Sequence, residues 1–256
     1  MSLIIVWFSL TLPLSYLVVA FGLALAQRRL LYRPPPEGVS DPTLAPEMAT
    51  IRQGPTLLGW WQSPPDPISP ILVFFHGNRG TLNRIATKTA PWREEFHLGL
   101  FLATYRGYEG NPGNPSEAGL YDDGRAVLDW LTHQGFSAER LILYGESLGT
   151  GVATQLAIER HCLGVVLEAP FSSIPDIAME RYPWAPSRWL VRDTYDNRAK
   201  IGDITSPILL LHGDADRTIP LAHSQRLAAA APSAQLAVVP QATHRNVSMI
   251  SGQVPL

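Results

Sequence analysis

Leu141-Ile142-Leu143-Tyr144-Gly145-Glu146-Ser147-Leu148-Gly149-Thr150-Gly151 is the stretch whose reading decides the fold. The first four residues form a short apolar run of buried-strand type, and residues 150–159 read as a helix. Between them lies Gly145-Glu146-Ser147-Leu148-Gly149. A serine at the tip of so sharp a strand-to-helix turn is held in a strained backbone with its hydroxyl pushed outward. Its neighbours two residues away must then be small, so that strand and helix can approach.

Outward from this turn the pattern repeats. Further buried strands are expected at 71–75, 98–104, 163–167, 208–211 and 236–239. Amphipathic or helical stretches fall at 116–133, 150–159 and 221–231. This alternation predicts an α/β fold, a mostly parallel sheet with helices on both faces. Residues 170–207 break it with Phe171, Met179, Tyr182, Trp184, Trp189 and Tyr195, and read as a small aromatic cap inserted at about 171–206.

A serine hydroxyl is a weak nucleophile near neutral pH and needs a base, which in turn needs an orienting partner. In such a sheet the chain order is serine, acid, histidine. Of the seven histidines, His76, His97 and His133 precede the serine and His161 ends its own helix. His212 and His223 flank the acid candidates without an intervening strand. His244 alone follows the next strand and is the expected base. The turn after 208–211 reads His212-Gly213-Asp214-Ala215-Asp216, and composition does not separate its two aspartates. Donors for the developing oxyanion are expected from the backbone N–H groups of Leu148 and of Asn78, in the turn His76-Gly77-Asn78-Arg79-Gly80.

With 46% apolar and 16% charged residues, the chain can bury a full core and is not disordered. A net charge of -2, with no long basic block, argues against a nucleic-acid partner. The single cysteine, Cys162, excludes an internal disulfide and a cysteine-based metal cluster, and no metal or organic cofactor is expected. From Leu3 to Ala26 there is no charged residue. As a helix this stretch rises about 36 Å, which predicts a retained N-terminal transmembrane anchor over residues 1–27 in preference to a cleaved signal peptide. The single-pass protein would have its catalytic part in the cytoplasm, because Arg28, Arg29 and Arg33 follow the segment. Residues 28–55 are proline-rich and read as a spacer, and residues 56–256 as the catalytic domain.

Phe75-His76-Gly77-Asn78, Tyr105-Arg106-Gly107-Tyr108, Gly145 to Gly149, His212 to Pro220 and Thr243-His244, in that order, resemble the α/β-hydrolase family. The resemblance is to its small single-anchor α/β-hydrolase domain-containing members, near the serine aminopeptidase and monoglyceride-lipase-like group. It implies that the acid is the aspartate three residues after the glycine of the His-Gly turn, Asp216. The sequence departs from the pattern at Thr104 to Glu109, a loop expected at the pocket rim, and in a short segment after the histidine. Together these features predict hydrolysis of an ester, thioester or small amide of a small acyl-containing or lipid-like substrate, through an acyl-enzyme on Ser147. Phe171 and Trp184 are candidates for an apolar substrate pocket. Two alternatives remain: a membrane-tethered, non-catalytic binding or scaffold protein on the same fold, and an aminopeptidase-like peptidase.

Overall fold

The structure is a computed structural model that describes residues 2–36 and 40–248, with side chains from Ser15 onward. Its eight strands are β1 (Ala49–Gln53), β2 (Thr56–Gln62), β3 (Ile71–Phe75), β4 (Gly99–Ala103), β5 (Leu141–Glu146), β6 (Gly164–Glu168), β7 (Ile208–Gly213) and β8 (Gln235–Val239). They form one sheet in the order β1-β2-β4-β3-β5-β6-β7-β8. Pairing is parallel from β4 through β3 to β8, and antiparallel only at the β1–β2–β4 edge. Strands β3 and β4 are buried at every residue, as continuous apolar runs covered on both faces must be.

The helices are α1 (Ser2–Leu31), α2 (Leu82–Phe96), α3 (Glu117–His133), α4 (Gly149–Glu159), α5 (Ile174–Arg181), α6 (Ser187–Leu190), α7 (Asn197–Lys200) and α8 (Ala222–Ala230). Leu82 and Ile85 of α2 pack with Phe74, Leu100 and Leu102 on one face of the sheet. Leu128 of α3, Leu156 of α4 and Leu227 of α8 join Phe75, Phe101 and Leu143 on the other. Each such side chain contributes about 1.5–3 kcal/mol by leaving water. Side-chain caps start two of these helices: the Ser116 hydroxyl accepts from the Gly119 N–H, and that of Thr81 from the Arg84 N–H. Residues 171–206, expected to form a cap, carry α5, α6 and α7 with their connections.

At the N-terminus the structure differs from expectation. Among the described residues no helix is long and apolar enough to cross a membrane, so the transmembrane helix expected over residues 1–27 is not found there. Residue 1 and the side chains of residues 2–14 lie outside the described residues. The later half of α1 instead lies against the cap, where polar groups of both are satisfied. The Tyr16 hydroxyl donates to the Trp184 carbonyl (3.1 Å), and the Gln27 amide to the Leu190 carbonyl (3.1 Å). The Arg28 guanidinium bonds both oxygens of buried Asp193 at 2.8 and 3.0 Å. Beyond α1 the proline-rich stretch stays tied to the domain: the Arg33 N–H donates to the Asn78 carbonyl (3.2 Å), and Tyr32, Ala45 and Met48 are buried. Strand β1 lies within this stretch.

Candidate active site

The chain leaves β5 and enters α4 through Ser147, whose φ is 52°, a left-handed conformation that costs a non-glycine residue about 1–2 kcal/mol. The turn closes only because its flanks lack side chains. A Cβ on Gly149 would overlap the Phe75 carbonyl oxygen, and one on Gly145 would lie 2.6 Å from the Gly149 carbonyl oxygen. Backbone bonds offset the strain: the Ser147 N–H donates to the Glu168 carbonyl (2.9 Å), and the Ser147 carbonyl accepts from the Thr150 hydroxyl (2.6 Å).

Three side chains distant in sequence meet at this turn. His244 Nε2 lies 3.0 Å from Ser147 Oγ, and His244 Nδ1 lies 2.7 Å from Asp216 Oδ2. With the Nδ1 proton donated to the carboxylate, Nε2 is left to accept from the serine hydroxyl. The Asp216 side chain is wholly buried. Burial alone would raise its carboxyl, but hydrogen bonds from His212 and His244, the His244 charge and the Ile219 N–H outweigh it and hold the group well below the usual carboxylate range. The other oxygen, Oδ1, accepts from the Thr218 and Ile219 N–H groups at 2.7 and 2.9 Å. Asp214 instead accepts from the Gln241 N–H (2.6 Å) and ties β7 to the loop that carries His244. His223 is not near the serine. Its Nδ1 lies 2.8 Å from Ser172 Oγ and its Nε2 3.1 Å from Glu180, which ties α8 to the cap.

The loop after β3 presses against the serine: a Cβ on Gly77 would lie 3.3 Å from that of Ser147. The Asn78 carbonyl is occupied by Arg33 and by the Tyr108 hydroxyl, and its side-chain amide donates to the Leu31 carbonyl. Among the described residues the backbone N–H groups of Asn78 and Leu148 enter no hydrogen bond. His76 anchors this loop. It is fully buried, its Nδ1 lies 2.7 Å from the Gly77 carbonyl, and its ring packs on Tyr105 and Tyr108. Burial lowers its pKa to about 4, so it is neutral at pH 7. A concavity of about 430 Å³ lined by Arg33, Arg79, Thr81 and three prolines adjoins the loop.

The two pocket candidates have other surroundings. Phe171 is 1% exposed and packs edge-on to Tyr195 in the core, and its carbonyl accepts from the Asn197 side chain. Trp184 is 48% exposed and packs on Tyr16 of α1. The loop from Thr104 to Glu109 is structural: Tyr105 and Tyr108 are buried, Arg106 pairs with Asp123, and Glu109 accepts from Ser40 and the Leu82 N–H. The segment 249–256, which follows the histidine loop, lies outside the described residues.

Sequence reading missed a buried ionic cluster behind the serine. Lys88 of α2 bridges Glu146 (2.8 Å) and Glu168 (2.5 Å), and Glu168 also accepts from the Tyr144 hydroxyl (2.5 Å). Arg84 adds a second ion pair to Glu146. Burial would raise the Glu146 carboxyl, but Lys88 and Arg84 hold it at about 2. No local signal marks this cluster, because Lys88 is 58 and 80 residues from its two carboxylate partners.

A mostly parallel sheet with a strained serine turn at a strand's carboxyl end, facing a histidine and an aspartate, defines the α/β-hydrolase class. The prolyl oligopeptidase family matches residues 116–250, and an uncharacterized protein of Mycobacterium tuberculosis is 35% identical over 238 residues, 90% of this chain and 84% of its own length. The chain belongs to the prolyl oligopeptidase family. Among solved structures, an alpha-beta hydrolase from Vibrio vulnificus superposes with a TM-score of 0.67 at 20% identity, covering 81% of this chain and 78% of its own. A Pyrococcus furiosus esterase does so with 0.63 at 17%, covering 87% and 94%. At these identities the likeness is one of fold.

Proposed function

We propose that the protein is a serine hydrolase that cleaves an ester, thioester or small amide through an acyl-enzyme. His244 Nε2 takes the hydroxyl proton as Ser147 Oγ bonds to the substrate carbonyl carbon. The carbonyl electron pair moves onto oxygen, where the N–H groups of Asn78 and Leu148 receive it. As the pair returns, the bond to the leaving group breaks and His244 gives that group its proton. A water, deprotonated by the same nitrogen, then releases the acid and restores Ser147. Asp216 holds the imidazole tautomer and stabilises its cation without taking the proton. The observation that carries this reading is the continuous chain of bonds from Ser147 Oγ through His244 to Asp216, at 3.0 and 2.7 Å.

A fluorophosphonate probe tests the proposal. Wild-type protein should be labelled and Ser147→Ala should not. An unlabelled wild type, or equal labelling of both, would leave the non-catalytic scaffold reading in its place. The family match supports a peptidase as the second reading. Nitrophenyl esters and thioesters compared with aminoacyl anilides would rank the two. We further propose that the protein works at a membrane surface, since Tyr16 to Ala26 of α1 carries no charge. A lipid-like acyl substrate fits that location.

A further inference from the structure

The cap segment Arg181-Tyr182-Pro183-Trp184-Ala185-Pro186-Ser187-Arg188-Trp189-Leu190-Val191-Arg192 places three arginines among two tryptophans and a tyrosine. Trp189 is 89% exposed and Trp184 48%. Arg181, Arg188 and Arg192 are exposed, and among the described residues none is in an ion pair. The segment contains no acid, and the adjoining Asp193 is buried against Arg28.

Helix α1 continues this surface. Successive residues turn by about 100°, so Tyr16, Ala20, Ala24 and Gln27 share the side that meets the cap. Leu17, Val18, Phe21 and Leu25 fall on the other side, and they are 60%, 63%, 65% and 63% exposed. Tyr16, Gln27 and Arg28 bond to Trp184, Leu190 and Asp193, which fixes helix and cap as one surface. One side of the helix is thus bonded to the cap, while the opposite side is apolar and lacks the polar residues that suit water.

We propose that this surface docks on a bilayer rich in anionic headgroups. The outer face of α1 and the rings of Trp184 and Trp189 enter the interface, and Arg181, Arg188 and Arg192 bind lipid phosphates. The charge argument selects this partner. Unpaired guanidinium groups beside exposed indoles match the layered chemistry of a lipid surface, apolar below and phosphate above. The inference rests on the membrane-surface reading given above and names its face and its lipid. It does not depend on the chemistry at Ser147.

The test uses the full chain in a Cys162→Ala background, with Trp189→Cys carrying the environment-sensitive dye NBD. It is mixed with phosphatidylcholine vesicles with and without phosphatidylglycerol. The dye should brighten and shift to the blue on phosphatidylglycerol vesicles, and high salt should weaken the response. Replacing Arg181, Arg188 and Arg192 together by Gln should weaken binding about 100-fold, at about fivefold per arginine, with the thermal melt unchanged. Two outcomes would overturn the proposal while sparing the membrane reading. One is vesicle binding, followed by flotation, with the dye unmoved; the other is equal affinity of the triple variant. A dye response that arises without lipid, on self-association, would also overturn it. Absence of binding to either vesicle would remove both readings.

Discussion

Replacing Lys88 by Met removes a largely buried cation that bridges two carboxylates and leaves a side chain of similar length. Glu146 is held at about 2, against an ordinary value of 4.5, and Lys88 is the larger favourable influence on it. The difference, 4.5 minus about 2, corresponds at about 1.36 kcal/mol per pH unit to about 3 kcal/mol of folding stability. Arg84 is 45% exposed on its side chain, so most of this belongs to Lys88. Breaking a buried pair by deleting one partner costs about 3–5 kcal/mol, which agrees. The sign follows from the direction of the shift. A depressed carboxyl stabilises the fold fully above 4.5 and loses that contribution as the pH falls through about 2. The gap between wild type and Lys88→Met should therefore be about 3 kcal/mol at pH 7 and shrink to about 1 kcal/mol at pH 3. Urea unfolding at both pH values, extrapolated to water, measures it. A gap below about 1 kcal/mol at pH 7, or one that does not narrow on acidification, would refute the electrostatic account of the cluster.

Three further outcomes are expected. Asp216→Asn should lower turnover by about 10⁴-fold, because the amide favours the wrong imidazole tautomer. Asp214→Asn should stay near wild type in the same ester assay, and the reverse order would exchange their roles. Gly149→Ala should fail to give a folded elbow, since its Cβ meets the Phe75 carbonyl oxygen; a wild-type melting curve and normal fluorophosphonate labelling would contradict this. Tyr195→Phe should cost about 1 kcal/mol by removing the bond between its hydroxyl and that of buried Tyr32, 3.0 Å away; unchanged stability would argue that the α1–cap junction contributes little.

What the sequence made legible follows from how completely each element is buried. Strands β3 to β7 announce themselves because continuous apolar runs between turns have few alternatives. The β1–β2 hairpin does not. β1 has no buried residue, as an exposed edge strand needs no apolar pattern, and its prolines upstream suggest a spacer. Helix α2 was equally silent, carrying Pro91 inside it and mostly polar residues. At the candidate site, chain order named the serine and histidine that the structure brings together, while composition left the two aspartates open. A turn aspartate usually caps backbone, and Asp216 does so with one oxygen while the other faces the imidazole. Composition cannot register a residue that does both. Trp184 and Phe171 show the converse, since aromatic residues near a site also build cores and junctions.

Glu168 explains why the buried cluster stands where it does. Its carbonyl accepts the N–H of Ser147, and its carboxylate accepts from Ser248, four residues after His244. One residue at the end of β6 therefore bonds both the strained serine turn and the loop that brings the imidazole. Its carboxylate is in turn fixed by Lys88 and Tyr144. An apolar residue at 168 would still supply the carbonyl but would remove one of the bonds that hold the histidine loop. The left-handed serine is a local strain of about 1–3 kcal/mol that persists only where its surroundings over-determine it. Here those surroundings include the ion pair of Glu168 with Lys88 at the carboxyl end of β6.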